Sequence, residues 1–174
     1  TLGHSMKIVF TKASGLVAWF IRKITGSQAS HVGLELDDGT FLQADKGGVQ
    51  RSNRDTFLLH GERTIIAAFE PKSEIINHID VAWGLDKLGT GYDYLGLVGA
   101  VIPTLSWRWF HVKLGDPLNV AAKYWCSEFI VALDREKAIP EFQTLDPRTV
   151  TPGQLLKVIS KGVSFRTINH NIIV

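Results

Sequence analysis

The chain has 174 residues and a formal net charge of +2, with 45% hydrophobic and 21% charged residues. That balance suits a globular domain with one core and excludes a disordered chain. Lys and Arg are scattered in runs no longer than two, which excludes the concentrated basic footprint of a nucleic-acid binder.

The opening Thr1-Leu2-Gly3-His4-Ser5 reads as an expression-tag remnant, and Met6, the only methionine, as the native start. Residues 6–174 are then expected to form a single domain. No Sec-type signal peptide follows Met6, so the protein is expected to be cytoplasmic as made, with a non-Sec route if it is exported. Residues 6–10 predict a strand, and residues 15–25 a helix by the spacing of Leu16, Trp19, Phe20 and Ile24. Residues 30–36 alternate as a strand, Asp37-Asp38-Gly39 is a hairpin signal, and residues 40–44 return. Lys46-Gly47-Gly48 makes a further turn into an extended Val49-Gln50, and residues 64–70 form a third clear strand ended by Pro71.

The second half reads as helical. The spacing predicts helices over 74–89, 94–102 and 124–137, and a helix start at Thr151-Pro152 with proline in the first turn. Residues 94–110 form the longest apolar tract, but Pro103, Thr104, Ser106 and Arg108 interrupt it, so no membrane-spanning segment is expected. Residues 163–168 and 172–174 look extended. The fold class is α+β, an antiparallel sheet packed against helices.

One cysteine, Cys126, excludes an internal disulfide framework and is either a small buried hydrophobe or a reactive thiol. It lies in Tyr124-Trp125-Cys126-Ser127-Glu128, where a helical pattern begins. Free N–H groups at such a start favour a thiolate, so a lowered thiol pKa is expected. Glu128 is expected to serve the helix start structurally. His31 opens a strand just before a hairpin, where it could act as a base; His60, His78, His111 and His170 have no comparable setting. The spacings of a zinc site are absent, as are GxGxxG, GxxxxGK[ST] and G-x-S-x-G, so no metal or cofactor is expected.

Four short motifs occur in order: Ser30-His31-Val32-Gly33, Gly91-Tyr92-Asp93-Tyr94, Trp125-Cys126-Ser127-Glu128-Phe129, and Val150-Thr151-Pro152 with Leu155. Together they resemble the permuted papain-like amidases of the YaeF/YiiX type, in the NlpC-like cysteine hydrolase superfamily, related to lecithin retinol acyltransferase. The resemblance runs from Met6 to about residue 158, and the histidine preceding the cysteine is the permuted order. It implies a circularly permuted papain-like fold with Cys126 as nucleophile and His31 as general base in a thiolate–imidazolium pair. Counting along the strand after the hairpin, Gln43 matches the third polar position, where relatives often carry Glu or His, and Asp45 is the alternative on the same face. Tyr92, Asp93 and Trp125 are candidate cleft residues. Trp107, Trp109 and Phe110 could line an acyl site but more simply close a core. The substrate implied is a peptide or acyl amide, foremost in peptidoglycan, with an acyl lipid as the alternative. A delivered toxin would imply a protein inhibitor as partner. The rival of another class is a non-catalytic binding module on this fold.

Overall fold

The computed structural model describes residues 6–15, 18–19, 22–23, 26–59, 62–93 and 123–169. The strands are β1 (Lys7–Ala13), β2 (His31–Glu35), β3 (Phe41–Asp45), β4 (Gly48–Ser52), β5 (Arg63–Pro71) and β6 (Phe165–Asn169). The helices are α1 (Arg54–Phe57), α2 (Val81–Asp86), α3 (Cys126–Ala132), α4 (Pro140–Gln143) and α5 (Pro152–Lys161). All six strands join one antiparallel sheet in the order β4-β3-β2-β1-β5-β6. The fold is therefore α+β, with a six-stranded antiparallel sheet and several helices. Among the described residues, no helix is long and apolar enough to cross a membrane.

The pleat divides the sheet into two chemically different faces. Ile8, Phe10, Val32, Leu34, Leu42, Ala44 and Phe69 turn one way, into the main core with Phe129, Ile130, Leu133, Leu155 and Ile159 of α3 and α5. On the other face Val9, Phe41 and Ala68 form a smaller cluster with Phe57 of α1. His31, Gln43 and Asp45 alternate onto this second face, and the Phe57 ring lies under them, stacked on Phe41 at 4.0 Å and tilted against His31 at 5.7 Å.

The predicted helix over 74–89 is broken. A 3₁₀ turn, Ile76–His78, precedes α2, because Asp80 caps α2 by accepting the Trp83 N–H at 2.8 Å and Ile79 is extended. The helix expected over 124–137 is confined to α3, since the Asp134 carboxylate takes the N–H groups of Ala138 and Ile139 at 2.8 and 2.9 Å and turns the chain. α1 was not expected; it rests on Asn53, whose side chain accepts the Thr56 N–H at 2.9 Å. Described residues 18–19 and 22–23 are helical, as the spacing predicts. The expected helix over 94–102, the Trp107, Trp109 and Phe110 cluster, the terminal strand over 172–174 and the first five residues all lie outside the described residues.

Candidate active site

β2 starts at His31, and each residue of Ser30-His31-Val32-Gly33 does something different. The Ser30 hydroxyl accepts the Ala13 N–H at 2.8 Å, and the Ser30 N–H donates to Thr11 O at 3.0 Å, which pins the start of β2 against β1. The His31 ring, 5% exposed, places Nε2 at 2.6 Å from Gln43 Oε1. Val32 packs into the main core and gives its N–H to the Cys126 sulfur. Gly33 leaves room for Phe57: a Cβ there would lie 2.6 Å from the ring.

That last contact makes a prediction. Gly33→Ala should displace Phe57, and with it the surface under His31, at a cost of about 1–3 kcal/mol. Denaturant unfolding measures the loss. Phe57→Leu in the same background should restore part of it, and no recovery would show that the clash is not the cause.

Gln43 is fully buried and makes more than one contact. Its Nε2 donates to Ser52 Oγ at 3.1 Å, and its Oε1 also receives Arg63 Nη1 at 3.4 Å. The same Nη1 donates to the Phe57 carbonyl at 2.9 Å, and Nη2 pairs with Asp45 Oδ2 at 2.8 Å. Asp45 therefore does not stand in for Gln43; it holds the arginine behind it. Arg63 escaped sequence reading because it lies one residue ahead of the apolar run that marks the strand. The available signal was a lone charge at the mouth of an apolar strand, sharing a face with Ile65.

Cys126 opens α3, which packs on β2 and β3. Trp125 and Ser127 flank it as two anchors, Trp125 Nε1 at 2.9 Å and Ser127 Oγ at 2.7 Å from the Val150 carbonyl. Glu128 Oε2 accepts the Trp125 N–H at 3.4 Å, so its role at the helix start is structural. Thr151 follows as the cap of α5, in a reciprocal box with Gln154. The Val150-Thr151-Pro152 motif thus clasps the start of the cysteine helix and begins the next one.

β2 and β3 are paired only at Leu34↔Leu42 and Glu35↔Phe41. Toward His31 the two strands carry no further pairs, and there the backbone N–H groups of Val32, one peptide from the histidine, and of Ser127 favour charge on the Cys126 sulfur. Among the described residues, no hydrogen bond joins the Cys126 sulfur to the His31 ring, whose Nε2 goes to Gln43. Hydrogen bonds join His31, Gln43, Arg63 and Asp45 into one network, and Arg63 and Asp45 act electrostatically on both Cys126 and His31. Tyr92 bridges to Tyr124, and the Asp93 N–H reaches the Tyr124 carbonyl at 3.2 Å, tying that stretch to the approach to α3. Trp125 is wholly buried, so it supports α3 from inside and does not line an open cleft. His78 meets Glu136 at 3.2 Å, apart from the site, while His60, His111 and His170 lie outside the described residues.

The electrostatics reverse one expectation. Burial pushes the Cys126 thiol up to about 11, outweighing the backbone N–H groups and Arg63 that favour the thiolate. Burial, aided by Arg63, pulls His31 down to about 4 against the opposing pull of Asp45 and Gln43. Both directions favour a neutral thiol beside a neutral imidazole and run against the persistent ion pair that the resemblance implies.

A stability prediction follows from His31. Its unfolded pKa is 6.5 and its folded one about 4, so the unfolded chain binds more protons between those values. Stability should fall as pH drops from 6.5 to 4, by about 3 kcal/mol from this residue, and His31 adds no further loss below that. Asp45, held below its usual range by His31 and Arg63, adds loss in the same direction at lower pH. Urea unfolding at pH 6.5 and 4.5 tests this, and His31→Gln should flatten the slope; equal slopes would show that the histidine is not responsible.

Among the described residues, no group of three or more His, Cys, Asp or Glu side chains could hold a metal ion. No family model matches the chain, and no curated protein matches it.

Proposed function

We propose that the protein is a cysteine-nucleophile amidase on a permuted papain-like fold, acting on peptide amide bonds of the peptidoglycan type. The observation that carries this reading is the meeting of Cys126 and Val32 at the mouth of β2, beside a histidine whose far nitrogen is held by Gln43. Gln43 supplies the neutral orienting group that such a site tolerates. With Nε2 engaged, Nδ1 is the nitrogen that takes a proton.

The proposed chemistry has a resting and an attacking state. At rest the sulfur lies on backbone donors and both groups are neutral. Rotation of the Cys126 side chain brings the S–H to His31 Nδ1, which takes the proton as sulfur attacks the carbonyl carbon. The carbonyl π pair becomes an oxyanion held by backbone N–H groups beside Cys126. His31 returns the proton to the leaving nitrogen, the C–N bond breaks, and a thioester remains. Water, activated by His31, then releases the acid and restores the thiol. A histidine pulled down to about 4 is unprotonated at neutral pH and available for the first step.

Digestion of purified peptidoglycan with mass spectrometry of the released peptides tests the reading. Labelling by a lipid-like acyl probe is the parallel arm. New amide cleavage products support the amidase; acyl labelling without cleavage redirects the assignment to an acyl-lipid hydrolase or acyltransferase. Neither signal, with a folded protein, points to a binding module.

A further inference from the structure

We propose that Arg63 is a positioning residue that sets which nitrogen of His31 carries the proton. The proposal rests on the cysteine-hydrolase reading for what the base accomplishes, while its evidence lies in the hydrogen-bond pattern behind the base.

The Gln43 side-chain amide has an acceptor end and a donor end that are nearly the same shape, so its neighbours must decide which end faces His31. Of its described partners, two cannot decide. Ser52 Oγ, at 3.1 Å from Nε2, both donates and accepts. His31 Nε2, at 2.6 Å from Oε1, donates in one tautomer and accepts in the other. Arg63 is different, because a guanidinium only donates. Its Nη1 lies 3.4 Å from the same Oε1. Turning the amide over would set two donors against each other in a buried place, which is costly.

Arg63 is itself held firmly. Asp45 takes Nη2 at 2.8 Å, and the Phe57 carbonyl takes Nη1 at 2.9 Å. Its side chain is 5% exposed, so water is not a ready substitute for these partners. The order of dependence is then fixed: Asp45 and Phe57 hold Arg63, Arg63 turns Gln43 Oε1 toward His31, and that oxygen requires a proton on Nε2. Nδ1 is left with its lone pair. Arg63 needs no contact with substrate to do this, and it acts only through Gln43.

The test reads the tautomer directly, without substrate. In protein labelled with ¹⁵N-histidine at pH 7.5, long-range ¹H–¹⁵N correlation should show His31 as a single Nε2–H tautomer. Two variants remove the lock. Arg63→Met with Asp45→Leu deletes the pair without leaving a buried charge, and Arg63→Lys keeps a charge for Asp45 but offers one donor nitrogen where Arg63 uses two, Nη1 and Nη2. In each, the tautomer ratio should move roughly fivefold toward Nδ1–H, the effect of one lost hydrogen-bond preference. A wild-type Nδ1–H tautomer, or an unchanged Nε2–H tautomer in a folded variant, would overturn the assignment. Failure of the amidase reading would appear elsewhere, as an inactive protein whose His31 tautomer still depends on Arg63.

Discussion

Cys126→Ala is expected to lower turnover by about 10,000-fold or more while leaving a folded protein. The chemistry is simple: alanine has no group to form the thioester, and no other cysteine exists in the chain. The structural cost is small, because Cys126 is a short side chain in the main core and its loss removes one sulfur atom from a site only 2% exposed. A loss near 1 kcal/mol is the expected scale for so small a deletion. Product release from peptidoglycan measures the first effect and thermal unfolding the second. Intact-mass analysis with an acyl probe adds a third measurement, an adduct on the wild type that the variant lacks. Unchanged turnover in the alanine variant would remove Cys126 from the chemistry altogether.

The second large effect is on stability. Arg63→Met should destabilise the fold by about 3–5 kcal/mol, the cost of leaving one member of a buried pair alone. Asp45 would keep the Lys46 N–H at 2.8 Å but lose the guanidinium that holds its charge. The Phe57 carbonyl and Gln43 Oε1 would lose a donor at the same time. Adding Asp45→Leu removes the stranded carboxylate, so the double variant should recover most of the loss. Urea denaturation of the single and double variants decides the matter. A double variant no more stable than the single one would mean that the pair is not where the energy lies.

What could be read from the sequence was what local chemistry controls. Gln43, which the family resemblance and not local chemistry pointed to, lies where the His31 ring is found, and the β2–β3 hairpin announced itself through alternation and Asp38-Gly39. Cys126 at a helix start was legible for the same reason, as were the strand over 64–70 and the helix beginning at Pro152. The misses share a different cause. Ile75, Ile76, Ile79 and Trp83 keep helical spacing across residues 74–89, yet Asp80 restarts the helix midway, and a cap can override periodicity. The sign of the thiol shift came out reversed because a helix start is visible in a few residues, whereas burial is decided by Val32, Phe129 and the rest of the core together. Arg63 left only a lone charge at the mouth of an apolar strand, because its partners Gln43, Asp45 and Phe57 belong to other elements.

The position of these groups along the chain has a consequence in time. His31, Gln43, Asp45, Ser52, Phe57 and Arg63 all fall within residues 31–63, while the thiol is supplied by Cys126. During synthesis from the N-terminus the proposed base and its supporting network are present in the nascent chain long before the proposed nucleophile is translated. Under the proposed chemistry, reactivity then waits on the docking of α3 against β2 and β3, with Val150 closing behind it. On the proposed reading, an emerging chain that stops short of Cys126 carries His31, Gln43, Asp45 and Arg63 but not the thiol.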